Sequence, residues 1–491
     1  MPRRNLTAIA MVAALTVFSW QALQGAKPKD EMMELYGLFV DAVEQVETNY
    51  VRPVDRRALL ESALKGMLQD LDPHSQFITE AEWKSFRKQI EGRYGGIGIQ
   101  VEIDPDAERL RVIAPMVGTP AYQAGVLPGD VILEIDGQST EGMSPDRAVE
   151  VLTGRIGTEV SLRVKHEGDN KLETLKMHRA VIDVPSVLGD HRKADDTWDY
   201  MLDPEKKIGY IRISSFIQNT AEELKHALSE LKAQGMKGLI LDLRDNPGGL
   251  LSAAVEISDL FIDSGKIVST KGRNTPTKTY EAQKDGMYTD FPMAVLVNGG
   301  SASAAEIVSA CLQDHKRAKV VGQRSFGKGS VQNILELEDG TSVLKLTVAT
   351  YMRPSGKNIH RFKNAKDEDE WGVSPDKGLE VKLTPEQYFN FARGRRQRDL
   401  LSSRRRKPAE TETAKAAEVK KDEPKKEADT KKDGEVKPEE KGKEQAKADV
   451  AKPKADTSPR ATSRPFVDTQ RDKAFQVILE ELSEQLKKKA A

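Results

Sequence analysis

The sequence contains a single cysteine in 491 residues, Cys311, so no disulfide can form within the chain. Cys311 follows Ile307 by one helical turn, which is typical of a small buried core residue and not of a second nucleophile. The sequence also has no His-Glu-x-x-His pattern, and a lone cysteine excludes paired cysteine ligands. No metal and no cofactor are therefore predicted.

The chain also lacks a net charge of either sign, because 76 lysines and arginines nearly balance 77 aspartates and glutamates. Nucleic-acid binding usually relies on an excess of basic residues, and this sequence offers no electrostatic case for it. Hydrophobic residues make up 38% of the chain. At this length they are sufficient to fill the cores of two or three domains.

One long apolar run lies at the N-terminus, within residues 1–26, and follows two early arginines. This pattern is typical of a signal for export across a membrane, so we expect a periplasmic or cell-envelope protein. Ala22 and Ala26 are small enough for a cleavage site, whereas Trp20 and Gln24 fit cleavage poorly. A cleaved signal peptide and an inner-membrane anchor both stay open, since the apolar length approaches one membrane span.

Changes in residue pattern divide the rest of the chain into five segments. Helical spacing predicts an N-terminal helical region that serves as a satellite unit or dimerisation arm, and short strands between glycine and proline turns predict a compact domain of mostly strands. Alternating strands and helices predict an α/β core, followed by a disordered charged linker and a C-terminal amphipathic helix that docks in cis or between subunits. In chain order these segments are 30–90, 91–182, 183–395, 403–464 and 465–491.

Ser303 is the first candidate for chemistry. The apolar run Met293–Val297 predicts a buried strand, and Gly299 and Gly300 then turn the chain into a small-residue helix that begins near Ser303. A hydroxyl at a helix N-terminus lies where backbone N–H groups and the helix dipole stabilise a developing negative charge. The alternative is an ordinary capping box, because Ser303-x-x-Glu306 matches that common pattern.

Lys328 is the second candidate, because a lysine between glycines acts as a base if burial lowers its pKa. It lies in Phe326-Gly327-Lys328-Gly329-Ser330, and the alternative is a solvated loop lysine. A third element is the turn 246–249, Asn-Pro-Gly-Gly, which follows a buried strand. Its glycine amides are able to face a ligand, although the same residues also form a strong turn without any function.

Several motifs in the same order resemble the carboxy-terminal processing, or tail-specific, serine proteases over residues 35–385. The resemblance implies an α/β protease core with a mixed sheet and packed helices, crotonase-like, plus a PDZ domain at 91–182, an N-terminal helical arm and a C-terminal helix. The protease core would span 183–395. The motifs lie at 71–75, 242–249, 300–307, 326–332, 351–356 and 372–376.

The resemblance implies that Ser303 is the nucleophile and Lys328 the general base. Gln332 matches a glutamine that helps to orient the lysine. Asp314 occupies a position sometimes assigned to a charge relay, but a structural role is favoured, because a nearby carboxylate would stabilise the charged lysine. The oxyanion hole would combine the Ala304 N–H with an amide from the turn of Gly248 and Gly249.

The small domain resembles a PDZ module with a carboxylate-binding loop and an edge that accepts a peptide as a further strand. The helix that begins near Pro145 would form the far wall of the groove. Where many relatives have Leu-Arg-Gly after this helix, the chain has Thr153 in place of the arginine, which puts the coupling of PDZ occupancy to activation in doubt unless Arg155 substitutes. The residues implied in peptide binding are Gly95, Gly96, Ile97, Gly98 and Ile99.

These features predict an exported serine endopeptidase that recognises unstructured C-terminal tails. Its partners would be proteins or peptides with exposed C-termini and no nucleic acid, and a homo-oligomer, an activating partner protein and a membrane tether are further expectations. A non-catalytic PDZ adaptor or periplasmic chaperone on a protease-like fold is the alternative. A third interpretation is an acyl-transferring enzyme that uses the same dyad on a small ester.

Overall fold

The computed structural model describes residues 27–104, 107–166, 171–283, 287–400 and 467–490. The predicted export segment and the predicted charged linker lie outside these ranges. Within them, none of the helices has the length and apolar character needed to cross a membrane.

The N-terminal region is helical and exposes much apolar surface. Helix α1 spans Lys27–Asn49, α2 Arg56–Gln69 and α3 Glu80–Glu91, with strand β1 at Gln76–Ile78. The Asp55 carboxylate accepts from the Ala58 N–H at 3.1 Å and so caps the start of α2. Strand β1 pairs with a strand of the protease-like core, which joins this region to the rest of the molecule.

The second region is built mostly from antiparallel strands. Strand β3 comes first in the sheet order β3-β4-β5-β7-β8, so one of its edges has no neighbouring strand within the described ranges. Apolar side chains alternate inward along β4, β5 and β7 to fill one core. The elements are β2 Arg93–Gly96, β3 Ile99–Asp104, β4 Arg109–Pro115, α4 Pro120–Gln123, β5 Val131–Ile135, β6 Gln138–Ser139, α5 Pro145–Leu152, β7 Glu159–Lys165, β8 Leu172–His178 and β9 Ala180–Asp183.

The third region alternates strands and helices, as the sequence predicts. Its first part contains β10 Val187–Leu188, β11 His191–Arg192, β12 Trp198–Asp199, β13 Met201–Asp203, β14 Ile208–Ile213, α6 Thr220–Ala233, β15 Gly238–Asp242, α7 Leu251–Asp259, β16 Lys266–Lys271 and β17 Lys278–Glu281. Its second part contains β18 Met293–Val297, α8 Ala304–Asp314, β19 Lys319–Gly322, β20 Ser330–Leu337, a 3-10 turn at Glu338–Gly340, β21 Ser342–Met352 and α9 Pro385–Asp399. The last helix, α10, spans Thr469–Ala490.

Two sheets organise this region. The central sheet has the order β10-β14-β15-β18-β19, and its strands β14, β15, β18 and β19 are parallel. The second sheet has the order β1-β21-β16-β17, with β20 paired to β21. Because parallel strands all end at the same edge, the loops that follow β15, β18 and β19 converge there. These loops carry the three motifs singled out above.

Both faces of the central sheet are buried, which explains why its strands are continuous apolar runs. Helices α6, α7 and α8 contribute to the core on one face, which includes Leu241 and Val295. On the other face Tyr210 and Leu296 share a core with Ile478 of the C-terminal helix. The predicted docking of that helix therefore occurs within one chain.

Candidate active site

Ser303 lies at the start of α8 with an unusual backbone. Its φ is 55° and its ψ −113°, whereas the helix itself begins at Ala304. A non-glycine residue with this conformation costs about 1–3 kcal/mol, and such strain persists only where the surroundings impose it. Ser303 is buried, with 9% of its surface exposed. The structure thus holds the hydroxyl at a helix N-terminus, as the sequence predicts.

Hydrogen bonds from the preceding loop impose that conformation. The Ser301 hydroxyl donates to the Leu243 carbonyl at 2.8 Å, and the Ala302 N–H donates to the Asn246 carbonyl at 2.9 Å. Asn298 Oδ1 also accepts from the Asp245 N–H at 2.9 Å. Hydrogen bonds of both backbone and side-chain groups therefore join the loop after β18 to the loop after β15.

The glycine turn lies directly against the nucleophile candidate. A Cβ atom added to Gly248, whose φ is 97°, would lie 2.7 Å from Ser303 Cβ and 3.0 Å from the Ala304 nitrogen. A Cβ added to Gly249 would lie 2.0 Å from the Phe216 carbonyl oxygen. Both positions therefore require glycine, for reasons that the turn pattern alone does not reveal.

The structure also refines the prediction for the oxyanion hole. The Gly248 N–H donates to Asn246 Oδ1 at 2.8 Å, so this amide already has an acceptor. An oxyanion bound at Gly248 would have to compete with that side chain. The predicted contributions of Gly249 and Ala304 stay predictions.

Glu306 connects the two catalytic candidates, which the sequence analysis did not foresee. Its side chain is fully buried. Its Oε2 accepts from the Ser303 N–H and from the Lys328 N–H, each at 2.8 Å, so the two backbone nitrogens are no farther apart than twice that distance. Its Oε1 accepts from the Gly327 N–H at 2.6 Å and from the Ser325 hydroxyl. One carboxylate therefore brings the nucleophile loop and the lysine loop together.

Burial dominates the titration of this carboxyl group. It raises the pKa of Glu306 to about 7, against hydrogen bonds from Ser325 and three backbone amides that act in the opposite direction. The only sequence signal was the capping-box spacing, which accounts for one of these four contacts. The other three come from a loop that is distant in sequence.

Replacing Glu306 by glutamine is expected to lower kcat/KM by about 100-fold, because an amide N–H₂ would face N–H donors and displace the Ser303 or Lys328 loop. The measurement is peptide cleavage at several substrate concentrations, with thermal unfolding to confirm a folded protein. Glu256→Gln is the matched control, since Glu256 is exposed on the neighbouring helix α7. Equal activity in both variants would show that Glu306 does not position the site.

Lys328 is half-buried, which favours its neutral form. Burial lowers its pKa, and the Glu306 carboxylate opposes that effect. The flanking glycines are needed for close packing, because a Cβ on Gly327 would lie 2.7 Å from Arg361 Cβ and one on Gly329 2.2 Å from the His360 nitrogen. The loop therefore packs closely against residues 360 and 361, and Lys328 itself is half-buried.

The segment 72–75 also belongs to this neighbourhood. The pKa of His74 is lowered by burial and then by the charge of Lys328. The Asp72 carboxylate holds the segment in place, since its Oδ1 accepts from the His74 N–H at 2.7 Å and from the Thr347 hydroxyl at 3.2 Å. The motif before the small domain is thus brought against β21, beside the lysine loop.

The two remaining catalytic candidates make other contacts. The Gln332 amide donates to the Ser330 hydroxyl at 2.8 Å and to the Thr347 hydroxyl at 3.2 Å, and its predicted action on Lys328 stays a prediction. Asp314 ends α8, about 16 Å along the helix from its start. Its carboxylate forms an ion pair with Arg353 at 2.6 Å. These contacts favour the structural role that the sequence analysis preferred for Asp314.

In the small domain, the glycines of the predicted carboxylate loop are packed tightly. A Cβ on Gly98, whose φ is 76°, would lie 2.5 Å from Thr119 Cβ, and one on Gly95 would lie 2.3 Å from the Gly154 carbonyl. Ile97 is 1% exposed and belongs to the core. Ile99 begins β3, the strand with an unpaired edge among the described residues, and α5 lies beside it.

The end of α5 is held by Arg179, which lies between β8 and β9. Arg179 donates to the Val151 carbonyl at 2.7 Å and to the Leu152 carbonyl at 3.1 Å, which satisfies the helix C-terminus. Thr153 follows as the cap residue, and Arg155 is exposed. These contacts do not test the expectation that coupling of the groove to the protease core depends on Arg155, since Thr153 replaces the usual arginine.

Comparison with known proteins identifies the family. Residues 207–377 match the model of peptidase family S41, and residues 111–166 match a PDZ domain. A carboxy-terminal-processing protease of Bartonella bacilliformis is 38% identical over 358 residues, which are 72% of this chain and 76% of that protein. The chain belongs to peptidase family S41. The resemblance stated from the motifs is therefore confirmed, and the protein is a serine-type peptidase.

Two further proteins are similar to this chain. The carboxy-terminal processing protease CtpA of Bacillus subtilis is 37% identical over 360 residues, which are 72% of this chain and 73% of the relative. The solved structure of a photosystem II D1 C-terminal processing protease is 30% identical to this chain. The match covers 70% of this chain and 92% of that protein, with a TM-score of 0.40. The S41 match includes the turn 246–249, Ser303, Glu306 and Lys328. The predicted fold class, a protease core with packed helices plus a PDZ domain and terminal helices, is confirmed.

Proposed function

We propose that this S41 peptidase is an exported endopeptidase that binds unstructured C-terminal tails through its PDZ domain and hydrolyses peptide bonds with a Ser303–Lys328 dyad. The observation that carries the dyad is the shared acceptor Glu306 Oε2, which draws the Ser303 and Lys328 backbones together. The lowered pKa of Lys328 supports its role as a base, because only the neutral amine accepts a proton. Export rests on the N-terminal sequence pattern.

The reaction proceeds through an acyl-enzyme. Neutral Lys328 takes the proton from Ser303 Oγ, and the oxygen attacks the carbonyl carbon of the substrate. The C–N bond then breaks, and the departing amine receives the proton from the Lys328 ammonium. Water repeats the sequence: Lys328 takes its proton, the hydroxide oxygen attacks the ester, and Ser303 regains the proton as the acid product leaves.

The negative oxygen formed in each step needs donors at the helix start. The Ala304 N–H and the glycine turn lie beside Ser303, and the N-terminal end of α8 adds its dipole. A donor of this kind is worth about 100- to 1,000-fold in kcat. The strained φ of Ser303 supports the same proposal, because it holds the side chain at the helix start instead of within the helix.

Tail recognition is supported by the sheet edge in the PDZ domain. Strand β3 is able to accept a peptide along its unpaired edge, with α5 as the opposite wall. Val149 on α5 is an apolar side chain that is 55% exposed. Backbone amides of the loop 95–98 would hold the terminal carboxylate.

The test of tail recognition compares one unfolded reporter peptide with a free C-terminal carboxylate and with a C-terminal amide. Loss of hydrogen bonds to a charged group costs about 1.5–3 kcal/mol, so KM is expected to rise about 10- to 100-fold with the amide. A short reporter that spans only the cleavage site serves as the control, because it has no tail to bind. Equal kcat/KM for carboxylate and amide would exclude a carboxylate-binding role.

We also propose self-association through the N-terminal helical arm. Helix α1 exposes Leu35, Phe39 and Val46, and Tyr50 follows directly after it, each with more than two fifths of its surface exposed. Exposed apolar patches on this scale are typical of surfaces that bind a partner. An activating partner protein and a membrane tether remain expectations from the sequence.

A further inference from the structure

Arg244 is a fully bonded, buried side chain near the active site, and half of its six side-chain hydrogen bonds go to residues near the far end of the chain. Its side chain is 1% exposed, and so are the side chains of Asp242 and Asp468. Nη2 donates to Asp242 Oδ2 at 2.6 Å and to Asp468 Oδ2 at 2.8 Å. Nη1 donates to Asp468 Oδ1 at 2.9 Å and to Gln470 Oε1 at 3.0 Å.

The guanidinium has no unused donor. Its remaining N–H, on Nε, donates to both oxygens of Asp242 at 3.0 and 3.1 Å, which accounts for all five donors of the group. The Phe391 ring of α9 lies under it at 4.3 Å. A buried arginine of this kind is stable only while each partner is present, because an unpaired buried donor carries its full desolvation cost.

Arg244 begins the loop that leads to the glycine turn. The next residue, Asp245, exchanges hydrogen bonds with Asn298 in the Ser303 loop, through its N–H at 2.9 Å and its Oδ1 at 2.9 Å. The Asn246 carbonyl accepts from the Ala302 N–H, and Gly248 lies so close to Ser303 that an added Cβ would lie 2.7 Å from Ser303 Cβ. A shift of the Arg244 backbone would therefore be transmitted to the atoms around the nucleophile within a few residues.

Asp468 is 224 residues away in sequence and is held by the last helix. Its Oδ1 also accepts from the Arg471 N–H at 3.0 Å, which caps the first turn of α10. Ala474 and Ile478 of α10 are fully buried against the central sheet, and a Cβ on Gly238 would lie 2.4 Å from Ile478 Cγ2. The Gln470 amide adds a bond to the Val381 carbonyl at 2.7 Å.

We infer that Asp468 and Gln470 are positioning residues for the reaction. Through Arg244 they fix Asp245 and the glycine turn 246–249 beside Ser303. The inference rests on the proposed function of Ser303. The C-terminal helix is thus part of the catalytic apparatus and not a separate appendage, and its docking sets the rate of the chemical step without a contact to substrate.

Asp468→Asn is the direct test in the full-length chain. Asparagine keeps the size but presents an N–H₂ group to an arginine N–H, so Arg244 loses a partner and the turn is released. We expect kcat to fall about 10- to 100-fold while KM changes little, because displacements near 1 Å at a reacting centre cost up to about 100-fold. Asp472→Asn is the matched control, as Asp472 lies on the same helix with 60% of its side chain exposed.

A peptide aldehyde separates positioning from simple loss of structure. It adds to Ser303 and forms an oxyanion, whereas the matching peptide alcohol does not. For Asp468→Asn the inhibition constant of the aldehyde should rise by the same factor as kcat falls, and that of the alcohol should stay unchanged. Gln470→Ala removes one hydrogen bond to Arg244 and the one to the Val381 carbonyl, but leaves both bonds to Asp468. It should show the same correlation at a smaller, several-fold scale, which decides the matter if Asp468→Asn does not fold.

Two results would overturn the inference. The first is that kcat and the inhibition constant of the aldehyde, measured for both variants, equal those of the Asp472→Asn control. The other is a lower total activity that active-site titration traces to fewer active molecules, while kcat per active molecule is normal in both variants. Failure of the proposed function is distinct, because wild-type enzyme would then cleave no faster than the Ser303→Ala variant.

Discussion

Replacing Ser303 by alanine is expected to reduce cleavage of an unfolded, tail-bearing substrate by about 10⁴-fold or more. Without Oγ no acyl-enzyme forms, and only the helix N-terminus and substrate binding still contribute to the rate. The measurement is kcat/KM on the peptide with the free carboxylate, together with thermal unfolding. Stability should change little, because the N–H of residue 303 still donates to Glu306.

Ser309→Ala provides the matched control. Ser309 is a buried serine on the same helix, and its hydroxyl donates to the Ala305 carbonyl at 2.8 Å. We expect that variant to stay within a few-fold of wild type, since the lost hydrogen bond contributes about 1 kcal/mol to stability only. Wild-type activity in Ser303→Ala would remove the nucleophile assignment, and ester turnover without peptide cleavage in wild type would favour the acyl-transfer alternative.

Replacing Lys328 by methionine is expected to lower kcat/KM by about 10³-fold or more at neutral pH. Methionine keeps an unbranched apolar stem but has no amine to accept the Ser303 proton, and general-base catalysis is worth about 10²- to 10⁴-fold. The Lys328 N–H still donates to Glu306 in the variant, so the loop should keep its position. Lys319→Met, at an exposed position on β19, is the control.

The pH profile tests the same base independently. Burial lowers the pKa of Lys328 from 10.5, and the base acts in its neutral form, so wild-type kcat/KM should rise with pH through an apparent pKa below that value. The residual activity of Lys328→Met should lack this rising limb. A profile shared by the variant and wild type would show that another group provides the base.

Much of the local structure follows from short-range pattern. The run Met293–Val297 is a strand with the predicted bounds, and α8 begins directly after Ser303. These predictions hold because apolar runs, glycine turns and capping residues act on their nearest neighbours in sequence. The motifs also identified the family, because their order and spacing are themselves sequence properties.

The role of Glu306 was out of reach for the same reason. A capping box describes one bond within a helix turn, whereas Ser325, Gly327 and Lys328 reach the carboxylate only when β19 and its loop pack beside α8. The amphipathic C-terminal pattern likewise predicted docking through apolar residues such as Ile478. It held no information about Arg244, because the partners of a buried charge are chosen by the fold.

The sequence by itself determined the family, the candidate nucleophile and base, and the alternation that builds a parallel sheet. Only the tertiary structure decided that Glu306 joins the loops of Ser303 and Lys328. It also decided that the Asn246 side chain accepts from the Gly248 N–H and that Asp468 accepts the hydrogen bonds of Arg244 that Asp242 and Gln470 do not. The physical reason is the same in each case. Buried polar groups must find hydrogen-bond partners, and those partners come from whichever segments the packed core brings within reach.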